Sequence, residues 1–326
     1  MLKIHGLSKS YGKENVLINF NLEIKSSEII SVVGGSGSGK TTLLRLISGL
    51  ELPDNGQIIL NNDIVNDEDV FVPPEKRDCS LVFQDYALFP NLSMRNNIYF
   101  GKNSNKNKER VEELIKVTQI EKILDKFPHE CSGGEQQRVA LVRSLAINPS
   151  LILMDEPLSN LDYNLKSNLG SMIRELLKRF KITAVIVTHD INDAMEISDK
   201  IVVIDKGKVV QKGPPNEIYN NPNSKKVALL FGETNFIPLK IFPDSKNFLF
   251  DDETKEPWIS IRPNQFTIYD KSIESCGKIF VGKIVSIMRV ASELKLELKC
   301  NNLLLKISLH TLKEFSVGQT LKVITL

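Results

Sequence analysis

The run Gly34-Gly35-Ser36-Gly37-Ser38-Gly39-Lys40-Thr41 fits the pattern G-x-x-x-x-G-K-[ST]. It lies between a strand-like apolar run, Ile29-Ile30-Ser31-Val32-Val33, and an apolar-periodic, helix-like stretch near residues 40–49. Glycines let successive backbone N–H groups turn inward around a phosphate without a Cβ clash. A helix N-terminus adds a favourable dipole for the anion. Lys40 is placed to reach β- and γ-phosphates, and the Thr41 hydroxyl to ligate Mg²⁺. The bland alternative is a flexible serine–glycine turn, which the flanking strand and helix disfavour.

Three further groups could join this chemistry. Leu151-Ile152-Leu153-Met154-Asp155-Glu156 is an apolar strand ending in two carboxylates. Asp155 could hold Mg²⁺, and Glu156 could orient or deprotonate a water. Alone, the motif is equally well a buried strand entering an Asp-Glu-Pro turn. His189 follows the apolar run Ala184-Val185-Ile186-Val187, at the carboxyl end of an expected central strand, where ligands bind in open α/β sheets. A histidine there could contact a γ-phosphate; taken by itself it reads more readily as structural. Cys131-Ser132-Gly133-Gly134-Glu135-Gln136-Gln137-Arg138 precedes the apolar-periodic Val139, Leu141, Val142 and Leu145. Ser132 and Glu135 form an S-x-x-E capping box, which suffices to explain a helix start. Ser132, Gly133 and Gly134 also expose N–H groups and a hydroxyl at a positive helix end. A second phosphate site without its own lysine points to another subunit's nucleotide.

The elements that must position these groups are an alternation of strands and helices. Residues 2–8, 19–25, 28–33, 150–155 and 182–187 read as strands, and 163–180 as a helix. Residues 93–146 read as mainly helical, with Val111, Leu114, Ile115, Val117, Ile120, Ile123 and Leu124 at helical spacing. This pattern predicts an α/β sheet core with a helical insertion. Beyond about residue 235, short β-like segments at 258–269, 278–290, 293–299 and 302–308 predict a small all-β domain. Residues 214–234, with Pro214, Pro215 and Pro222, read as the link, and 102–108 as a surface loop.

The 326 residues carry a net charge of +2, so no basic bias points to nucleic acid. No apolar stretch approaches the roughly 18 residues of a membrane span, and the start lacks a signal-like run. The chain is therefore expected to reach a membrane only through partners. Cys79, Cys131, Cys276 and Cys300 form no C-x-x-C pair and fit a reducing cytosol.

The order of these motifs resembles the ABC transporter ATPase family over about residues 1–230. The resemblance rests on residues 34–41, Gln84, 132–136, Asp155-Glu156, Ser159-Asn160-Leu161-Asp162 and His189. It implies a P-loop NTPase cassette over 1–234, with a helical subdomain near 90–148, and ATP and Mg²⁺ as cofactors. ATP hydrolysis is the implied reaction. Gly34, Gly35, Ser36, Gly37, Ser38, Gly39, Lys40, Thr41 and Thr42 would hold the nucleotide, and Tyr11 would stack on adenine. Thr41, Gln84 and Asp155 would serve Mg²⁺; Lys40, Gln84, Glu156 and His189 would serve catalysis. Ser132, Gly133, Gly134 and Asp162 would act across a head-to-tail homodimer. Two positions depart from the family's L-S-G-G-Q: Cys131 replaces Leu and Glu135 replaces Gln. Glu135 brings negative charge to a site meant for a triphosphate and is expected to weaken ATP-driven closure.

The region 235–326 resembles the small barrel-like (OB/TOBE-type) regulatory domain of importer ATPases, through Ile259-Ser260-Ile261-Arg262-Pro263-Asn264-Gln265 and Val281-Gly282-Lys283-Ile284-Val285. It reads as a dimer-stabilising appendage rather than a ligand sensor. The resemblance implies permease partners, a separate solute-binding protein and a peripheral place on the inner membrane face. Val72-Pro73-Pro74-Glu75-Lys76-Arg77 with residues 83–90 is most similar to ferric-iron importer ATPases, with polyamine, molybdate or sulfate, and sugar importers as alternatives. A non-transport ABC ATPase acting on nucleic acid or ribosomes is the rival class, disfavoured by the single cassette and the lack of heptads. A P-loop phosphotransferase or GTP switch would have no use for residues 132–134.

Overall fold

A computed structural model of the chain describes residues 1–101, 107–159, 163–245, 248–250, 256–270 and 277–326. Most of the expected loop at 102–108, together with Asp162 and Cys276, lies outside the described residues. The chain divides into two compact units, Met1–Pro215 and Asn216–Leu326. Residues 216–234 thus group with the C-terminal unit.

The N-terminal unit holds two sheets. The strands β1 (Leu2–Tyr11), β2 (Glu14–Ile24), β4 (Asn55–Leu60) and β5 (Asp63–Asn66) form an antiparallel sheet in the order β2-β1-β4-β5. Phe20, Leu22 and Ile24 are buried while Asn21 and Glu23 are exposed, the period-2 pattern of a strand with one wet face. The second sheet is built from β3 (Ile29–Val33), β6 (Cys79–Val82), β7 (Leu151–Asp155), β8 (Thr183–Thr188), β9 (Lys200–Asp205) and β10 (Lys208–Gly213), in the order β10-β9-β3-β8-β7-β6. All its pairings are parallel except β9 with β10. Every residue of β3 and β8 is buried, as expected of strands covered on both faces.

Helix α1 (Lys40–Ser48) buries Leu43, Leu44, Leu46 and Ile47, each worth about 1.5–3 kcal/mol. It ends at Gly49, whose φ of 80° lets its N–H reach back to Arg45 and Leu46 carbonyls. The Arg77 guanidinium also bonds the carbonyls of Leu46 (2.9 Å) and Ile47 (2.8 Å), so a Cβ on Gly49 would lie 2.6 Å from its Nε. The region 93–146 is less continuous than its periodicity suggests. It contains α2 (Met94–Ile98), α3 (Lys108–Val117) and α4 (Gly133–Ala146), with single 3₁₀ turns at Glu121–Ile123 and Pro128–Glu130. Helix α3 stops where Gln119 takes a φ of 55° and Thr118 Oγ1 bonds back to Leu114 O at 2.7 Å. Helices α5 (Tyr163–Arg179) and α6 (Ile191–Ile197) follow β7 and β8. Among the described residues no helix is long and apolar enough to cross a membrane.

The C-terminal unit begins with α7 (Pro215–Asn220, its first residue at the boundary) and α8 (Lys225–Leu230). A small sheet joins β11 (Asn235–Pro238), β12 (Leu249–Phe250) and β13 (Pro257–Ile261). A five-stranded antiparallel sheet follows in the order β14-β18-β15-β16-β17, from β14 (Phe266–Ile268), β15 (Ile279–Val290), β16 (Glu293–Cys300), β17 (Leu303–His310) and β18 (Thr320–Thr325). Along β16, Leu294, Leu296, Leu298 and Cys300 point into one core shared with Phe266, Phe280 and Ile307. This is the expected barrel-like β domain. Strand β18, which was not read as a separate segment, pairs with β14 and β15.

Candidate functional site

Three adjacent parallel strands deliver the site. Strand β8 pairs with β3 on one side and β7 on the other, so their carboxyl ends share one edge. Strand β3 runs into the loop 34–39 and α1, β7 ends at Asp155, and β8 leads into His189. A cleft of about 740 Å³ opens there, lined by residues 36–42, Glu14, Val16, Glu156 and His189. The loop fits only glycine at its closing position. Gly39 has a φ of 98°, and a Cβ there would lie 2.6 Å from Val16 O.

Lys40 is 8% exposed, and its Nζ donates to Gly34 O (3.0 Å) and Gly35 O (2.9 Å). Burial lowers the ammonium's pKa. These two carbonyls satisfy two of the ammonium's three donors. Thr41 Oγ1 donates to Asp155 Oδ1 at 3.3 Å. Burial raises the Asp155 carboxyl, and the neighbouring Glu156 charge adds to this. Two hard oxygen donors, one of them a carboxylate that a cation would relieve, fit Mg²⁺.

Glu156 sits at a φ of 47°, a conformation that a non-glycine residue holds only when its surroundings require it. Its N–H donates to Val187 O at 2.8 Å, tying it to β8. The carboxylate Oε1 then stands 2.9 Å from His189 Nδ1. The structure thus brings residues 34–42, Asp155, Glu156 and His189 together.

Other expected residues are not among those that line the cleft. Tyr11 ends β1, is 45% exposed, and has Lys9 Nζ 5.4 Å from its ring centroid. Gln84 Nε2 donates to Ser159 Oγ at 3.3 Å, and Ser159 Oγ to Glu156 O at 3.0 Å. Glu14 and Val16 were missed; they carry no local signal and reach the loop only through the fold of β2.

Ser132 caps α4. Its Oγ accepts from Glu135 N (3.4 Å), while Glu135 Oε2 accepts from Ser132 N (2.8 Å) and Ser132 Oγ (2.8 Å). These bonds hold the Glu135 carboxyl below the usual range. The N–H and hydroxyl that would face a phosphate are therefore turned toward a carboxylate on their own chain. Glu135→Gln keeps an oxygen for the cap and removes the charge. It is expected to lower the ATP concentration for half-maximal hydrolysis about two- to fivefold, the range of one exposed charge contact. An unchanged ATP titration would refute this.

A strand, a glycine-rich phosphate cradle and a helix, in one parallel sheet with a strand that runs into Asp155-Glu156, define a P-loop nucleotide-binding protein. Residues 17–159 match the ABC transporter family. The chain is 41% identical over 242 residues to the spermidine/putrescine import ATP-binding protein PotA of Bacillus thuringiensis, covering 73% of each chain. It is 36% identical over 288 residues to the Fe(3+) ions import ATP-binding protein FbpC 1 of Pectobacterium atrosepticum, covering 84% of this chain and 81% of that one. Among solved structures, the dimeric post-hydrolysis state of the ATP-binding cassette MJ0796 bound to ADP and Pi matches with a TM-score of 0.56 and 31% identity. That match covers 66% of this chain and 99% of that one. The chain belongs to the ABC transporter family, as one of its ATP-binding subunits.

Proposed function

We propose that this chain is the ATP-hydrolysing motor of an ABC import system. It works as a head-to-tail pair of cassettes docked on membrane permease subunits, peripheral to the inner face of the membrane, with a separate solute-binding protein. The observation that supports this best is the convergence of residues 36–42, Glu156 and His189 on one cleft, with Asp155 bonded to Thr41.

The reaction is ATP plus water to ADP plus phosphate. Backbone N–H groups of residues 35–41 and the Lys40 ammonium bind the phosphates. Thr41 and Asp155 would hold Mg²⁺, with Gln84 as a further ligand, and bound Mg²⁺ would supply neutralising charge at the phosphate oxygens. Glu156 accepts the proton of the attacking water. His189 steadies Glu156 through Nδ1 and leaves its other ring nitrogen for the γ-phosphate. Tyr11 carries the adenine. Ser132, Gly133 and Gly134 complete the partner cassette's site, and Asp162 couples the two sites across the dimer. The C-terminal unit is an accessory domain.

Ferric iron is the proposed cargo, on the likeness of residues 72–77 and 83–90 to ferric-iron importer ATPases and the 36% identity to an Fe(3+) import subunit. A polyamine is the second reading, favoured by the 41% identity to a spermidine/putrescine import subunit. Cells carrying Lys40→Ala in place of the native chain separate them. A selective fall in cell iron supports the first, and a fall in polyamines the second. A fall in molybdenum or sulfur transfers the cargo to an oxyanion, and no change in any of these counts against both.

A further inference from the structure

We infer that Lys166, in the first turn of α5, is a positioning residue that holds the His189 loop in register with Glu156. The inference rests on the reading of Glu156 and His189 given above. Lys166 Nζ lies 3.1 Å from Asp190 Oδ2 and 4.0 Å from Asp193 Oδ2. Asp190 directly follows His189, and its other contacts clamp the same turn. Its Oδ1 accepts from Asn192 N at 2.9 Å, and its N–H donates to Thr188 Oγ1 at 3.0 Å. One carboxylate therefore caps α6 through one oxygen and takes the ammonium through the other. Two hydrogen bonds and an ion pair thus hold the backbone on the C-terminal side of His189.

The ammonium also keeps two like charges together. Asp190 and Asp193 are one helical turn apart, with Glu196 the next acid on the same stretch and His189 beside them. Burial, with the Asp190 charge added, pushes the Asp193 carboxyl up to about 6. Without Lys166 these carboxylates repel across a half-buried space, and the start of α6 must relax. His189 immediately precedes that N-cap, and its Nδ1 meets Glu156 at 2.9 Å.

The contact does not stand alone. Ser171 Oγ donates to Glu196 Oε1 at 2.7 Å, and Arg174 Nη2 reaches Asp199 Oδ1 at 3.2 Å. Lys178 also pairs with Asp199, and Arg174 donates to Ile197 O. Helices α5 and α6 are thus stitched from end to end, and Lys166 is the stitch nearest the chemistry. It does not line the nucleotide cleft, so its loss should change the rate of the step and leave nucleotide binding alone.

The test is steady-state ATP hydrolysis by the full chain as parent, Lys166→Met, Lys166→Arg, Asp190→Asn and His189→Ala. Lys166→Met is expected to lower kcat about ten- to a hundredfold, the effect of misplacing a reacting group by a fraction of an ångström to an ångström. KM for ATP should stay at the parent value, Lys166→Arg should recover most of the rate, and Asp190→Asn should show the same kcat-only loss. Lys166→Met hydrolysing as fast as the parent overturns the inference. So does a KM that rises in step with the lost rate, or Lys166→Arg no faster than Lys166→Met. A slow His189→Ala beside a fast Lys166→Met sinks this inference alone. A His189→Ala chain as fast as the parent sinks the reading of the site, and this inference with it.

Discussion

Glu156→Gln will keep ATP binding and lose hydrolysis by about 10²- to 10⁴-fold, the share that a positioned proton acceptor contributes. The amide has the size and shape of the carboxylate but cannot take a proton from water. Nothing in the fold should change with it. The Glu156 N–H still donates to Val187 O, so the residue keeps its positive φ and its place beside His189. The phosphate cradle at residues 34–41 is likewise untouched. The ATP-loaded pair of cassettes should then persist, because the step that reopens it is blocked. Turnover of the variant is compared with the parent, and size is measured by light scattering with and without ATP. Hydrolysis within tenfold of the parent would move the base to another residue. A slow variant that stays monomeric in ATP would argue against the head-to-tail cassette pair, and for a P-loop phosphotransferase or switch.

The largest stability loss is expected from Arg262→Met. Arg262 is 1% exposed, with its guanidinium against the Tyr219 ring at 4.3 Å. It donates to Tyr219 O through Nε (3.1 Å) and Nη2 (3.0 Å), and to Ala228 O (2.9 Å), Gly232 O (3.1 Å) and Glu233 O (3.3 Å) through Nη1. These are the last carbonyls of α7 and α8 and the turn after them, which have no helical partner of their own. Methionine fills the volume of the stem but leaves the carbonyls buried without donors. A loss of about 3–5 kcal/mol is expected, since several buried carbonyls each lose a donor at about 1–3 kcal/mol apiece, partly offset by relaxation. Denaturant unfolding of the full chain, followed by the fluorescence of the single tryptophan Trp258 in the same unit, should show an earlier transition. A midpoint equal to the parent's would show that water satisfies those carbonyls and that Arg262 adds little.

Arg262 also shows where reading the sequence stops. The segment Ile259–Gln265 resembled the start of a regulatory β domain, and a β-rich C-terminal unit is what the structure contains. What the arginine does was not legible, since its partners lie 29 to 43 positions earlier in the chain. The same limit applies to Glu14 and Val16, to the Gln84–Ser159 contact, and to Lys166. Each acts through a residue that only folding brings near. Residues 93–146 are mainly helical, as expected, but their breaks were not legible, for a related cause. Apolar spacing persists through the 3₁₀ turns because their side chains feed the same core.

By itself the sequence determined the phosphate cradle, the strand-end Asp155-Glu156, the histidine after the next apolar strand and the capped helix at Ser132. Each is a local device. Backbone freedom at glycine, a carboxylate at the end of a buried strand and a side chain capping its own helix depend on residues within one turn or one strand. Only the tertiary structure decided which of these devices meet. Strands β3, β8 and β7 lie side by side although 150 residues or more separate β3 from β8, and that adjacency sets Thr41 against Asp155 and His189 against Glu156. The physical reason is that strand order follows from burying whole apolar faces together, a choice made by the sum of many side chains and written in no single stretch of them.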